Sequence, residues 1–343
     1  MRSVFDYGCI VYGSAATTSL KKLDVIQNQG LRLCCGAIKT IPIATVQVEM
    51  GEMPLHLRRD QLALVYWANL RGHGDKYLSQ SVLWQCQERE NDRIKSFGWT
   101  IRQKVIMMGI SALDISPSVV GPVVPPWLLL EVPVDLGLLE EKEVHEVDHY
   151  RVQGYISKNY KEGIIIYTDA SKKTDTKMGI AYVIPQLNIE FAKIMNDDLA
   201  VYTAELLAIW MALLWVESNN PKQAVIASDS SSALTSLKLQ LASNLIKAGI
   251  STPFIWVPAH IGVGGKELAD RCAKKAAELP DIEVDIKYSK AEVKSLIKAK
   301  TIAKWQLCGI MNSLGDTCIA FKDKWGRTRI HTDVSKKKIW GPK

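Results

Sequence analysis

Three carboxylates, Asp169, Asp229 and Glu205, stand where an apolar chain has little reason to carry charge, and a fourth, Asp270, follows a histidine loop. Asp169 follows Ile-Ile-Ile-Tyr-Thr168 and precedes Ala170-Ser171, and Asp229 follows Ala-Val-Ile-Ala-Ser228 and precedes Ser230-Ser231. Each acid ends an apolar, β-branched run and opens a small-residue turn. Open α/β sheets build their sites at the carboxyl ends of strands, although an Asp at such a junction also serves as the N-cap of the next element. Glu205 is the only charged residue between Asp198 and Glu217, in a run of Leu, Ile, Trp and Ala. A carboxylate on so apolar a helix is expected to be partly buried, which is costly without a partner or forces it to keep its proton. The alternative is a solvent-open Glu favoured by the helix N-terminus. Asp270 follows His260 and the glycine-rich segment 261–265. A loop histidine is ordinarily a surface residue, but beside carboxylates it can move protons near neutral pH. Four acids without thiolate or paired histidine ligands suit hard ions such as Mg²⁺ or Mn²⁺. A shared divalent cation also removes the penalty of burying Glu205.

Such residues need a sheet and helices to bring them together. Strands are expected at 164–167, 178–184 and 189–194, the last two joined by Pro185-Gln-Leu-Asn188 as a hairpin. A helix over 203–216, a strand at 224–227, a helix over 230–241, a strand at 254–257 and a helix over 265–279 follow. Three strands and then alternating helix and strand predict an α/β fold, a mixed sheet with helices on its faces. Upstream, helical spacing covers residues 20–34, with Gly36 as the stop, and 55–70. Five of the thirteen prolines fall between Pro117 and Pro133, which predicts an extended linker continued by the acidic run 131–148.

The 343 residues carry a net charge of +7 and are 47% hydrophobic, which excludes wholesale disorder. The charge is unevenly spread: residues 160–281 sum to −1 and residues 287–343 to +10. A basic tail is a footprint for a polyanion, or a solvated helix face with a frayed end. Arg327 and Arg329 beside Trp325 are candidates to lie along a phosphate backbone. The apolar stretch 118–130 is too short and too broken by proline to span a bilayer, and no basic-then-apolar leader opens the chain. No membrane partner is expected. Seven scattered cysteines without a C-x-x-C indicate reduced thiols in an intracellular protein, nucleus and cytoplasm undistinguished.

Tyr-Thr-Asp169-Ala-Ser, Thr-Ala-Glu205-Leu-Leu-Ala-Ile, Ser-Asp229-Ser and Trp-Val-Pro-Ala-His260-Ile-Gly-x-x-Gly-x-Glu-Leu-Ala-Asp270 occur in that order. Together they resemble the four motifs of type 1 ribonuclease H, in the style carried by jockey-like non-LTR retrotransposons, over roughly residues 162–278. The resemblance implies a ribonuclease H-like five-stranded mixed sheet flanked by helices. It implies two Mg²⁺ ions, with Mn²⁺ a substitute, held by Asp169, Glu205, Asp229 and Asp270, and His260 assisting proton transfer or product release. The implied activity is endonucleolytic hydrolysis of the RNA strand of an RNA–DNA hybrid, with Ser171 and Ser231 beside the motifs as nucleic-acid contacts.

Phe5-Asp-Tyr-Gly-Cys-Ile-Val-Tyr-Gly13, Leu23-Asp-Val-Ile-Gln-Asn-Gln-Gly-Leu-Arg-Leu-Cys34 and Arg58-Arg59-Asp-Gln-Leu-Ala-Leu resemble the region just after the polymerase core of these elements' reverse transcriptases. The polymerase's own catalytic motif is absent, so polymerase activity is not expected. The organisation implied is a helical reverse-transcriptase remnant at 1–110, a Pro-rich then acidic linker at 111–160, the ribonuclease H domain at 161–281 and a basic helical tail at 282–343. Three departures from the family pattern stand out. Ala170 replaces a common Gly, Lys266 stands where Asn is frequent and is expected to alter the His260 loop, and only thirty residues separate Asp229 from His260. A compact variant and a damaged copy both fit that short segment. Two other readings share these residues. One is a catalytically inactive remnant that binds nucleic acid; the other is a transposase or integrase, a class that usually lacks a Glu on the first long helix.

Overall fold

The structure, a computed structural model, describes residues 2–73, 78, 97–117, 132–144, 147–172, 177–196, 198–235, 249–250, 252–312, 318–322 and 328–332. The chain divides into two compact units, one of Met1–Ser118 with Lys287–Lys343 and the other of Val119–Ile286.

The first unit opens with helices α1 (Arg2–Asp6), α2 (Cys9–Tyr12), α3 (Thr17–Cys35), α4 (Ile43–Glu49), α5 (Leu55–Arg71) and α6 (Phe97–Met107). The helices expected over 20–34 and 55–70 are α3 and α5. Gly36 closes α3 in the left-handed conformation, φ 67°, that glycine adopts without strain. Leu57, Leu64, Trp67 and Ala68 of α5 are buried.

The second unit is a six-stranded mixed sheet flanked by helices. Its strands are β1 (Val134–Asp135), β2 (Ile164–Lys172), β3 (Met178–Ile184), β4 (Ile189–Met195), β5 (Ala224–Ser228) and β6 (Phe254–Trp256). They lie in the order β1-β6-β5-β2-β3-β4. The β3–β4 hairpin turns where expected, with Asn188 at φ 52° and Tyr182 stacked on Phe191 at 4.7 Å. β3 is buried at every position, so it reads as a continuous apolar run rather than an alternating one.

The linker expected at 111–160 is corrected over its described second half. Val134–Asp135 adds a sixth strand beside β6, followed by α7 (Gly137–Val144) and α8 (His149–Asn159). Leu138, Val147, Val152 and Ile156 are buried in the same core as the sheet. Those four apolar positions outweigh the acidic composition that suggested a solvated connector. The proline-rich residues 118–131 lie outside the described residues.

Helix α9 (Val201–Asn219) packs on β2, β3 and β5. It is long and apolar enough to cross a membrane, but Ala204, Ala208, Ile209, Ala212, Leu213 and Val216 are buried, and it serves the sheet as a core helix. The helix expected over 230–241 is described as α10 (Ser231–Thr235), the remainder lying outside the described residues. Helix α11 (Gly264–Ala276) packs on β2, β3 and β4.

The tail rejoins the first unit. Helix α12 (Lys290–Asn312) begins with a reciprocal cap: Glu292 N–H donates to Ser289 Oγ at 3.2 Å, and Ser289 N–H to Glu292 Oε2 at 2.9 Å. It packs against α5 with Val293, Ile297 and Thr301 buried, followed by the antiparallel pair β7 (Cys318–Lys322) and β8 (Thr328–Thr332). The segment expected as a basic helical tail thus contains a docked helix and a two-stranded ribbon.

Candidate functional site

Strands β2 and β5 are parallel neighbours, paired from Ile164↔Ala224 to Tyr167↔Ala227. Asp169 and Asp229 each lie two residues past that last rung, so the register itself sets them side by side. Asp169 does not end its strand, contrary to the sequence reading. β2 runs on to Lys172 because β3 continues to pair with it, Asp169 opposite Ala181. Ala170 follows Asp169 with a φ that is not positive, so a side chain is tolerated there.

Asp229 is not a helix cap. Ser230 takes that role, its Oγ accepting from Ala233 N–H at 3.4 Å and its carbonyl from Leu234 N–H at 3.0 Å. Trp256 Nε1 donates to the Asp229 carbonyl at 2.9 Å, which fixes the backbone and leaves the carboxylate for other work. Glu205 projects from the start of α9 and is 6% exposed, which rules out the solvent-open reading. One carboxylate oxygen from each of Asp169, Glu205 and Asp229 lies within 4.8 Å of the others. Glu205 Oε2 is buried without a hydrogen-bond partner.

The cluster already contains a cation, supplied by the protein. Lys266, in the first turn of α11 and 3% exposed, donates from Nζ to Asp169 Oδ1, to Asp229 Oδ1 at 2.8 Å and to the Thr168 carbonyl at 2.8 Å. All three ammonium protons are therefore used. Two glycines let α11 approach this closely. A Cβ on Gly265 would collide with the Tyr167 ring, and one on Gly179 with the Ala273 carbonyl. Tyr167 and Asp169 share a face of β2, so seating Gly265 on Tyr167 sets the next residue down on Asp169.

Burial dominates the electrostatics. It raises Asp169 to about 6 against the pull of Lys266, with Asp229 and Asp270 adding to the rise. Burial likewise raises Glu205 to about 8, opposed by Lys266 and by a hydrogen bond from the Ala170 backbone, and reinforced by Asp169 and Asp229. For Lys266, burial disfavours the charge, but Asp169, Asp229 and Glu205 more than offset it and the pKa rises. Of the two raised acids, Glu205, which accepts no hydrogen bond from Lys266, is pushed further toward its protonated form than Asp169.

The donor set is all hard oxygen, closely spaced, and includes one orphaned buried atom; in type and spacing it fits a divalent cation. One oxygen of each aspartate, Asp169 Oδ1 and Asp229 Oδ1, is held by the Lys266 ammonium.

Asp270 and His260 line the same cleft, with Ala170, Ala259 and Glu267. Asp270 stands apart from the three-acid cluster. Its Oδ2 accepts from Lys274 Nζ at 2.6 Å, one turn along α11. His260 is exposed with φ 58°, a left-handed conformation unusual for a residue with a side chain. Ser171 pairs with Gly179 in the sheet and Ser231 opens α10, and neither is among the residues lining the cleft. Arg327 lies outside the described residues, and Arg329 is on β8 in the first unit, opposite Phe321.

Sequence reasoning gave Lys266 a part in the loop and missed its part in the cluster. The signal was present: a lysine in the first turn of a helix opposes the helix dipole and calls for anions nearby. No protein-family model matches the chain, and no curated protein matches its sequence.

Proposed function

We propose that the second unit, Val119–Ile286, is a metal-dependent ribonuclease H, which hydrolyses the RNA strand of RNA–DNA hybrids within a retrotransposon-derived protein. The observation that carries this reading is the convergence of Asp169, Glu205 and Asp229 beside the carboxyl end of β5, with Glu205 Oε2 left unpartnered. The order of the four motifs supports it independently. Asp169, Glu205 and Asp229 would hold the cation, and Asp270 would join them from the cleft wall on release from Lys274. Bound Mg²⁺ or Mn²⁺ supplies charge neutralisation for in-line attack of water on a phosphodiester. The chain's own contribution is to hold three carboxylates in fixed register, keep Glu205 away from solvent, and present His260 at the exposed rim for proton exchange. The 2′-hydroxyl is the group by which a site separates RNA from DNA.

The test is incubation of the full chain with a labelled RNA–DNA hybrid and with duplex DNA, in Mg²⁺ and in Mn²⁺. Cleavage of only the hybrid's RNA strand, reduced about 100-fold or more in Asp169→Asn, is expected if the carboxylates act on the reacting phosphate. Cutting that is unchanged in Asp169→Asn overturns the reading. A second reading, a catalytically silent remnant that still binds nucleic acid, is favoured by one observation, the neutralisation of Asp169 and Asp229 by Lys266. Hybrid binding without cleavage in either metal supports it.

A further inference from the structure

We propose that Lys266 is a built-in competitor for the divalent cation, holding Asp169 and Asp229 in the metal-free chain and leaving before both can coordinate an ion. The inference rests on the reading that these carboxylates bind a cation, and it assigns to that site a residue that sets how readily it fills. Its basis is geometric. The ammonium takes Asp169 Oδ1 and Asp229 Oδ1 at once, and its third proton is anchored on the Thr168 carbonyl. An ion bound by the same two oxygens and the ammonium cannot share that space, and their like charges repel. Glu205 Oε2, the oxygen the lysine does not reach, stays orphaned. A monovalent cation with three donors satisfies two acids and leaves the third wanting.

The lysine is also held from behind. It leaves α11 next to Gly265, whose lack of a side chain lets the helix sit against Tyr167, so the ammonium is delivered by a packed helix. Two states follow: lysine in and metal out, or lysine out and metal in. If the first is populated at about 99%, the apparent metal affinity falls about 100-fold below that of the bare carboxylates.

The experiment titrates Mn²⁺ into the full chain and reads free Mn²⁺ by electron paramagnetic resonance, with no nucleic acid present. Lys266→Met keeps the apolar stem and removes the charge. It is expected to bind Mn²⁺ at least about tenfold more tightly than the parent, and the double variant Lys266→Met with Asp169→Asn is expected to lose the gain. Equal affinity in parent and Lys266→Met overturns this proposal and leaves the metal-site reading standing. No binding by either protein, both folded by circular dichroism, overturns the metal-site reading and this proposal with it. A measurement on the parent chain alone keeps the test independent of the variant's folding. Acetylation of Lys266 by acetic anhydride, followed by mass spectrometry, is expected to be slow without metal and to rise severalfold in saturating Mn²⁺. Protection that does not change with Mn²⁺ overturns the proposal.

Discussion

The ring of Tyr167 fills the space that a side chain on Gly265 would need. This contact seats the start of α11 on β2 and fixes the height at which Lys266 meets Asp169. Gly179 does the same farther along, where a Cβ would strike the Ala273 carbonyl. The two positions differ in what can yield, a ring in one case and backbone in the other.

Gly179→Ala is therefore expected to destabilise the second unit by about 1–3 kcal/mol, the usual range for overpacking a tight contact. Gly265→Ala is expected to cost less in stability and more in position, because Tyr167 can turn. Thermal unfolding of the two variants checks the order. A Gly179→Ala melting temperature equal to the parent's contradicts the close approach of α11.

The two lysines of α11 that bond to acids should behave very differently. Lys274 reaches Asp270 from an exposed site, and such one-turn pairs contribute about 0.3–0.5 kcal/mol, so Lys274→Ala should barely shift the denaturation midpoint. Lys266 is buried between two acids, and removing one partner of a buried pair costs about 3–5 kcal/mol. Lys266→Met should lose stability in a chelator and regain much of it when Mn²⁺ is added. Similar losses for the two variants argue against a buried ammonium.

Metal-free stability is expected to fall as pH rises. Glu205 has a folded pKa of about 8, raised chiefly by burial, against an ordinary value of 4.5. The folded chain holds a proton that the unfolded chain has released between those values. Its contribution is intact below about 4.5 and is lost as pH climbs through about 8. Asp169 adds the same sign between 3.8 and about 6. Each tenfold difference in proton affinity between the folded and unfolded chain corresponds to at most about 1.4 kcal/mol. Urea midpoints at about pH 5, 7 and 9 in a chelator provide the measurement, and Glu205→Gln should flatten the upper part of the slope. A midpoint that rises over that range is the contrary result.

A chain cut to residues 161–281, the boundaries that the motifs suggest, is expected to fold poorly. It would lack β1, α7 and α8, and with them the buried Leu138, Val152 and Ile156. It would also lack Asp135, whose carboxylate accepts from Gly137 N–H at 2.9 Å, Tyr155 OH at 3.0 Å and Tyr160 OH at 2.6 Å. A chain of residues 132–286 should give a sharper, higher-temperature melt. Equal melts would show that β1 is dispensable.

The strands and helices of the second unit were legible because each is marked by a physical signal in the sequence. The uninterrupted apolar run of β3 announces a strand covered on both faces, and Pro185 with Asn188 announces its turn. Asp169, Glu205 and Asp229 were legible as acids set against apolar surroundings. Less legible were the features that depend on residues distant in the chain. The segment 132–159 looks acidic and proline-flanked, and only the position of Leu138 and Ile156 against the sheet shows that it belongs to the core. Lys266 is marked by its place in the first turn of a helix as needing an anion, but nothing local says which, because the acids it joins lie 97 and 37 residues away. Asp270 was grouped with the other acids by motif, yet its nearest partner is one helical turn along its own helix.

The pairing of β2 with β5 has a consequence for how this protein can vary. Every rung that aligns Asp169 with Asp229 involves residues up to Ala227, so the alignment is complete before the stretch to His260 begins. Gains or losses of chain between α10 and β6 leave that pairing, and with it the spacing of the two aspartates, alone. Moving the two aspartates apart instead takes a slip of one strand past the other.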